Sequence, residues 1–315
     1  MRLRRVEFGN VFNASGARNF FGEGYWYSSL TDWTGATFVA KTTTFEPRVG
    51  NMPLKKGTFQ PERLIPPCIR AYPFKGVALN AVGLTGPGLP ALLGAGLWQT
   101  RTEPFVISFM AVADTPPLRL HELARAVWLL HEDMSRFKAP FALELNLSCP
   151  NVGIDHRDLV KEARAMLDVA AKLNVPLIVK VNALVRPQFA AEIADHPSCD
   201  ALCVSNTIPW GQLPDEIDWK KLFGTETSPL AQYGGGGLSG KPLLPIVERW
   251  IKIYRMHAGW RTAIIGGGGI LTEPDAFRII EAGADAIFLG SVAMLRPWRV
   301  ADIIYAVNTV NQLFR

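Results

Sequence analysis

Clustered charge and metal-ligand motifs are scarce in this chain of 315 residues. The formal net charge is +5, yet no run of five basic residues occurs, which argues against nucleic-acid binding. The cysteines show no CxxC spacing and no grouping with histidine, so no metal site is predicted. They are Cys68, Cys149, Cys199 and Cys203. Four cysteines in a chain of this length are ordinary for a reduced, intracellular protein.

An uninterrupted apolar run long enough to span a membrane is also lacking. Met1–Arg5 is basic, but no apolar stretch follows it, so no signal peptide is predicted. Residues 76–100 carry no charge, but Pro87, Pro90 and six glycines would disrupt a lipid-exposed helix. We therefore expect a soluble, cytoplasmic protein with no membrane span, in which residues 76–100 form a loop with a short helix.

Short apolar runs are present instead, with helical patterns between them. Most of the runs are too apolar for half-buried strands and suit a parallel sheet covered on both faces. The predicted strands are Val11–Ser15, Ala36–Lys41, Phe105–Met110, Phe141–Leu147, Leu177–Val181, Ala201–Ser205, Thr262–Gly266 and Ala286–Leu289. The predicted helices are Leu120–Phe137, Arg157–Leu173, Leu243–His257, Pro274–Ala282 and Pro297–Leu313. This alternation predicts an α/β fold, a (β/α)8 TIM barrel, with residues 1–315 as one domain because no linker or repeat divides them.

Two connections are too long for simple crossovers between strands. They run from about Thr42 to Pro104 and from about Asn206 to Arg261. Both follow the C-terminal ends of predicted strands, where a barrel carries its active site. We expect long insertions that act as lids or binding loops at this face.

The hexapeptide Asn146–Asn151, with the sequence Asn-Leu-Ser-Cys-Pro-Asn, is the most informative stretch. It places two amides and the Cys149 thiol at the C-terminal mouth of a strand. Such amides suit an anionic ring rich in carbonyl groups, and a thiol beside them can act as a base or a nucleophile. The alternative is that Cys149 is a small buried hydrophobic residue. The five histidines form no nucleophile–base pattern, so Cys149 is the candidate base.

Glycine clusters follow the last two predicted strands, at Gly266–Gly269 and at Gly290-Ser291. Barrels commonly bind phosphate with these two loops, because glycine lets backbone N–H groups surround the anion. Tight turns are the alternative. A third cluster, Gly234–Gly240, continues into Lys241 and Pro242. It has the spacing of a P-loop but lacks the metal-binding Ser or Thr and a preceding strand, so nucleoside triphosphate binding is rejected.

Lysines and asparagines also lie at or near predicted strand ends. Lys41 ends the second predicted strand, and Lys180 lies within the fifth, where an apolar core would not accept an unpaired lysine. Each is either an outward, solvated lysine or a cation aimed at the barrel mouth. Asn80 and Asn206 lie in the two insertions, where turn chemistry is the alternative to ligand binding.

Together these segments resemble the dihydroorotate dehydrogenase family, FMN-dependent barrels of pyrimidine synthesis. The similarity extends over nearly the whole chain, and its most specific part is Asn146–Asn151. The other parts are Asn13–Gly16, Lys41-Thr42, Pro47–Asn51, Leu79–Leu84, Lys180, Ser205–Thr207, Gly236–Gly240 and the two phosphate loops.

The resemblance implies oxidation of (S)-dihydroorotate to orotate. Cys149 would be the catalytic base at C5, with Lys41 also in the catalytic group, while hydride passes from C6 to flavin N5. The implied substrate-binding residues are Asn80, Asn146, Asn151, Asn206 and Thr207. The implied FMN-binding residues are Ala14, Ser15, Gly16, Lys41, Thr42, Lys180, Ser205, Gly237, Gly267, Gly268, Gly290 and Ser291. In this role Lys180 would stabilise the anionic reduced flavin.

The resemblance also implies partners. A cysteine base is similar to that of the soluble class 1 enzymes, whereas class 2 enzymes carry serine at this position. Pro47–Asn51 and Gly236–Gly240 look closer to the NAD-linked subclass, which works with an iron–sulfur, FAD-bearing electron-transfer subunit. A homodimer is expected. Fumarate, NAD through a partner and a quinone all stay open as the electron acceptor.

The chain departs from the family pattern at Gly86, where asparagine is usual, and in residues 52–77 and 209–232. Two alternatives follow: a dihydropyrimidine dehydrogenase-like or otherwise divergent flavin barrel acting on a related ring, and a non-catalytic FMN-binding subunit. The first has histidine at the position of Asn151 and its cysteine further along the loop, where this chain has none before Cys199. The intact Cys149 and the lysines argue against the second.

Overall fold

The barrel predicted from the sequence is present in the computed structural model, which describes residues 1–147 and 156–313. Eight parallel strands form its sheet and confirm the eight predicted ones, several of which are shorter than expected. They are β1 Val11–Asn13, β2 Phe38–Val39, β3 Phe105–Phe109, β4 Phe141–Asn146, β5 Leu177–Val181, β6 Ala201–Val204, β7 Ala263–Gly266 and β8 Ala286–Leu289.

The strands follow one another around the barrel in chain order. β1 pairs with β8, and pairing continues through β7, β6, β5, β4 and β3 to β2. The sheet closes between β1 and β2 through Thr37, whose N–H donates to Val11 O at 2.8 Å and whose carbonyl accepts from Asn13 N–H at 3.3 Å. Because the strands are parallel, all their carboxyl ends meet at one face.

Side chains alternate between the barrel interior and the helix-covered outside, as the two-residue period of a strand requires. On β4, Leu143 and Leu145 pack in the outer core, while Ala142 belongs to the inner one. Further along the same strand, the inward position is Glu144, which borders the interior cavity with Lys180 of β5. The same alternation therefore places polar side chains inside the barrel, near the carboxyl ends of the strands.

Helices connect the strands, and most of them bury side chains in the outer core of the barrel. They are α1 Leu89–Gly94, α2 Pro116–Glu132, α3 His156–Ala171, α4 Pro187–Ala194, α5 Trp219–Phe223, α6 Leu243–Ala258, α7 Glu273–Glu281, α8 Val292–Leu295 and α9 Val300–Leu313. The predicted helix Leu120–Phe137 begins earlier, after Thr115, because two prolines set its first turn. In the described part of the chain, no helix combines the length and apolarity needed to cross a bilayer.

A short hairpin closes the amino-terminal end of the barrel. Arg2–Leu3 pairs antiparallel with Val6–Glu7. Met1, Leu3 and Phe8 pack into the inner barrel cluster. The carboxyl end is thereby left as the open end of the barrel.

The two long connections meet in a second sheet, which the sequence did not predict. Val77–Asn80 of the first connection pairs antiparallel with Gly237–Gly240 of the second. Ile69–Tyr72 and Ile208–Pro209 flank this pair. The predicted loop is therefore wrong for Val77–Asn80, which form a strand. The short helix predicted within residues 76–100 is confirmed by α1.

Candidate functional site

The Lys180 side chain points into the barrel and is only 5% exposed. Its Nζ donates to Ser15 Oγ at 3.0 Å and lies 3.9 Å from Glu144 Oε1. A buried ammonium group needs such partners because desolvation disfavours its charge. The outward, solvated alternative for Lys180 is wrong, and its cation faces the barrel mouth.

A chain of polar contacts extends from this lysine across the neighbouring strands. Ser108 donates to Glu144 Oε1 at 2.6 Å, and Thr42 Oγ1 lies 2.8 Å from Ser108 Oγ. Thr42 Oγ1 also donates to Ser15 Oγ at 3.1 Å and accepts from Asn146 Nδ2 at 3.3 Å. The network fixes the position of the ammonium group relative to β3 and β4.

Sequence reasoning missed two members of this network, Glu144 and Ser108. Both are buried at inward positions: Glu144 lies two residues after Ala142, and Ser108 lies two residues after Val106. A carboxylate or hydroxyl at an inward position near the carboxyl end of an apolar strand is the signal that would have found them.

The predicted amides gather beside the network. Asn206 Nδ2 donates to Asn146 Oδ1 at 3.4 Å, and Asn206 Oδ1 accepts from Thr207 N–H at 2.9 Å. Thr207 lies against Gly237, where an added Cβ would come within 2.2 Å of Thr207 Oγ1. Gly237 in turn pairs with Asn80 in the second sheet. The structure therefore brings four of the five predicted substrate residues together across the barrel and the insertions.

Two predicted site residues, Cys149 and Asn151, lie outside the described residues. Among the other cysteines, Cys199 and Cys203 are buried, and burial raises the pKa of both thiols. A buried thiol with a raised pKa is unreactive, which agrees with a packing role for these two residues. In the described part of the chain, no group of three or more metal-binding side chains occurs.

Lys41 lies two residues beyond β2 rather than at its end. Its side chain is buried, donates to Thr85 O, and has Nζ 4.7 Å from the centre of the Phe20 ring. Burial lowers the pKa of Lys41 to about 7, and the nearby Cys68 thiol opposes that shift. A bound anion would favour the charged form of this lysine.

Gly86, the position at which the chain departs from the family pattern, lies against the Phe20 ring. A Cβ on Gly86 would lie 3.1 Å from Phe20 Cζ. The Phe20 ring, which also faces Lys41, thus occupies the space that a larger side chain at position 86 would need. An asparagine here would require the ring to move.

The loops after β7 and β8 bring together backbone N–H groups that have no acceptor among the described residues. These groups belong to Gly268, Gly269, Gly290 and Ser291. We call residues 266–269 and 290–291 the glycine cradle. Gly268 has φ +134°, and a Cβ on Gly267 would lie 2.6 Å from Phe288 O. Unpaired N–H groups at two adjacent strand ends suit a phosphate.

The remaining predicted cofactor residues border the glycine cradle or Lys41. Ala14 N–H donates to Leu289 O at 2.7 Å, and Ser205 N–H donates to Gly267 O at 2.9 Å. Gly16 has φ +95°, and a Cβ there would lie 3.9 Å from Lys41 Cγ. The cradle, the Lys180 network and the amides therefore line one continuous end of the barrel.

Comparisons with known proteins give a consistent result. The sequence model of a family described as "Dihydroorotate dehydrogenase" matches residues 2–310. The chain is 33% identical over 308 residues to "Dihydroorotate dehydrogenase B (NAD(+)), catalytic subunit" of Bacillus caldolyticus, which covers 93% of this chain and 84% of the relative. The relative of the same name from Geobacillus kaustophilus is 31% identical over 303 residues, with coverage of 93% and 84%. The crystal structure of ligand-free type DHODH from Eimeria tenella superposes with a TM-score of 0.71 at 19% identity, over 99% of this chain and 88% of that one, and supports the barrel fold.

Proposed function

Because the chain belongs to the dihydroorotate dehydrogenase family, we propose that it oxidises (S)-dihydroorotate to orotate in pyrimidine biosynthesis. The observation that carries this proposal is the position of Lys180. Its buried Nζ donates to Ser15 and lies 3.9 Å from Glu144, at the end of the barrel that also carries the glycine cradle and the predicted amides. A fixed cation in that place suits a reaction in which negative charge develops on a bound ring.

We assign FMN as the cofactor, because the residues present fit its two ends. The unpaired N–H groups of the glycine cradle suit the phosphate. When bound, FMN supplies at N5 the acceptor for the hydride that leaves substrate C6. Lys180 would hold positive charge beside the ring, and the network of Thr42, Ser108 and Glu144 would keep that ammonium group in place.

The predicted amide residues and Lys41 are assigned to substrate binding. Asn80, Asn146, Asn206 and Thr207, with Asn151, would bind its carboxylate and ring amides. Lys41 is buried beside a carbonyl and an aromatic face and has no carboxylate partner among the described residues, so an anionic substrate would supply a negative charge beside it. These contacts orient the ring and exclude water from it.

Cys149 is assigned as the base that takes the proton from C5. The substrate then loses one proton to the thiolate and one hydride from C6, and a C5–C6 double bond forms. A free thiol has a pKa of about 8.5, and cations beside it favour the thiolate. The assignment rests on the Asn146–Asn151 motif and on the lack of a nucleophile–base pattern among the five histidines of the sequence.

Anaerobic mixing with dihydroorotate tests the activity directly. The purified chain should be yellow, the flavin absorbance should bleach, and orotate should appear in proportion to the flavin reduced. A flavin that bleaches with dithionite but not with dihydroorotate would contradict the substrate, and uracil-type rings would be tested next. Protein that binds no flavin on reconstitution would contradict the cofactor.

The names of the relatives suggest the route by which electrons leave. They are described as NAD(+)-linked catalytic subunits, which supports a partner subunit. From the family resemblance, we propose that this partner carries an iron–sulfur cluster and FAD, and that the chain itself forms a homodimer. NAD alone should reoxidise the reduced flavin slowly, and addition of the partner should accelerate that step. Rapid reoxidation by fumarate or a quinone without any partner would contradict this route. Light scattering of the purified chain tests the dimer.

A further inference from the structure

A second polar cavity lies in the segment between β1 and β2. Its volume is about 330 Å³, and its lining includes Arg18, Gly22, Ser28, Asp32 and Trp33. None of the described residues assigned above to substrate or cofactor lines it. We call it the arginine cavity.

Arg18 lines this cavity, and Arg101 lies beside it, near Gly22. Arg18 Nη2 lies 3.5 Å, and Arg101 Nη1 lies 3.8 Å, from the position that a Cβ on Gly22 would take. The two guanidinium groups therefore both lie at contact distance from the same point, together with the Phe38 ring.

Neither arginine has an acidic partner among the described residues. Within residues 1–147 and 156–313, the Arg18 guanidinium makes no hydrogen bond or ion pair. Arg101 donates from Nη1 to Phe21 O at 3.0 Å, but its Nε is buried without an acceptor. The Asp32 carboxylate in the lining instead accepts from Thr34 N–H and Oγ1 at 2.9 and 2.7 Å.

Aromatic rings hold the two cations in place. Arg101 Cζ lies 4.0 Å from the centre of the Phe38 ring, and Arg18 Cζ lies 5.4 Å from Phe38 and 5.6 Å from Trp33. A guanidinium group stacked on a ring keeps its N–H edge available for another partner. Burial, and then the charge of Arg101, lowers the pKa of Arg18 to about 10, so Arg18 is still charged at neutral pH.

We propose that the arginine cavity binds the phosphate group of a small molecule, separately from the glycine cradle. Two guanidinium forks offer the planar donor pattern that phosphate oxygens accept best. The anion would supply the missing acceptors for Arg18 and Arg101, and it would remove the repulsion between two uncompensated cations. Gly22, which carries no side chain, lines the cavity beside both groups.

Isothermal titration of the purified chain with pyrophosphate tests this site. The variant Arg18→Gln is compared with Arg261→Gln, which removes the same charge from a side chain that is 88% exposed. Wild type and Arg261→Gln should bind alike, and Arg18→Gln should bind at least about tenfold more weakly, since hydrogen bonds to charged groups are strong. The tenfold loss refers to the arginine cavity alone; any binding at the glycine cradle appears as a second site that is unchanged in Arg18→Gln.

Absence of saturable binding in the wild type, or equal binding in Arg18→Gln, would overturn the proposal. If Arg18→Gln does not fold, Arg18→Lys replaces it, because lysine keeps the charge but lacks the planar guanidinium fork. Arg18→Lys should bind pyrophosphate several-fold more weakly than the wild type. Unchanged binding would count against the site. Parallel titrations with inorganic phosphate and adenosine monophosphate distinguish a free anion from a phosphate ester as the ligand.

Discussion

Lys180 and Lys41 are both buried at the barrel mouth, but their surroundings differ. Lys180 has the Glu144 carboxylate 3.9 Å away, whereas Lys41 has the Thr85 carbonyl and the Phe20 ring. Removing one partner of a buried ion pair exposes the other charge to an apolar interior. Removing a buried cation that has no anion relieves a cost instead. Substitutions at the two lysines should therefore change stability in opposite directions.

Loss of the Lys180 ammonium group should lower the flavin reduction potential. Lys180→Met alone would leave Glu144 unpaired at a cost of about 3–5 kcal/mol, so Lys180→Met/Glu144→Gln is compared with Glu144→Gln. We expect a decrease of roughly 30–60 mV, because a charge-assisted hydrogen bond contributes about 1.5–3 kcal/mol and ~1.4 kcal/mol equals ~30 mV for a two-electron couple. Dye-equilibrated spectrophotometric titration measures it. Equal potentials would give Lys180 a structural role.

Replacement of Lys41 by methionine should stabilise the substrate-free protein at low pH. The folded pKa of Lys41 is about 7, below the value of about 10.4 in an unfolded chain, so the unfolded chain binds more protons between these pH values. Wild-type stability consequently rises with pH in that window. Lys41→Met should be about 1–4 kcal/mol more stable at pH 6, with the difference fading toward pH 10.

Urea denaturation at several pH values measures this difference. Lys161→Met serves as the matched control, because its side chain is 79% exposed and should show no such pH dependence. A difference between Lys41→Met and wild type that stays constant from pH 6 to pH 10 would show that Lys41 does not titrate in this window.

Loss of the Cys149 thiol should slow flavin reduction while leaving binding intact. A positioned general base contributes about 10²–10⁴ in rate, so Cys149→Ala should retain FMN, bind orotate and reduce its flavin at least a hundredfold more slowly. At high pH, Cys149→Ser should lose less activity than Cys149→Ala, because a hydroxyl can play the same role as the thiol with a poorer pKa match. Wild-type rates for Cys149→Ala in single-turnover experiments would place the base elsewhere.

The sequence identified those site residues whose type is unusual in their surroundings. Lys180 stands out within an apolar strand, and Asn146 opens a specific motif. Ser108 and Glu144 did not stand out, because their role depends on which side of the strand faces inward and on partners from other strands. The obstruction of position 86 by Phe20 is likewise a contact between distant segments that no local pattern encodes.

At the scale of elements, the glycine cradle is the feature open to the sharpest test. Gly268→Val should abolish flavin retention, because the branched side chain disturbs a loop with φ +134° whose added Cβ would lie 3.1 Å from Val247 Cγ2. Gly57→Val, at φ +73° with nothing within 4 Å, imposes backbone strain without touching the cradle and should keep its flavin. Absorbance of the bound flavin measures occupancy, with circular dichroism as the check on folding. Full occupancy in Gly268→Val would contradict the assignment.

Element prediction succeeded where burial leaves an apolar run or a helical period in the sequence. All eight barrel strands are apolar runs, and the structure confirms each of them. Gly237–Gly240 was not predicted as a strand, because glycine carries no hydrophobic periodicity and its partner, Val77–Asn80, is far away in sequence. The two-turn helix α4 was missed for a related reason, since Pro187–Ala194 is too short to establish a period.

At the scale of the whole molecule, the predicted TIM barrel and membership of the dihydroorotate dehydrogenase family are confirmed. Both depend on patterns spread over nearly the whole chain. FMN, the electron-transfer subunit and the homodimer stay predictions, because each depends on a molecule other than this chain. Their tests are the reconstitution, reoxidation and light-scattering experiments described above.

Closure of the barrel also has a consequence for the timing of synthesis. β1 comes early in the chain, yet its partner on one side is β8, which emerges from the ribosome near the end. At translation rates of about 5–20 residues per second, the edge of β1 stays unpaired for roughly tens of seconds. We expect a ribosome-bound chain arrested before residue 286 to be cleaved by protease within residues 11–39, and a released chain to resist. Equal resistance would mean that the nascent barrel protects this edge in another way. Until β8 arrives, the nascent chain carries an open strand edge that a chaperone or a second nascent chain can pair with.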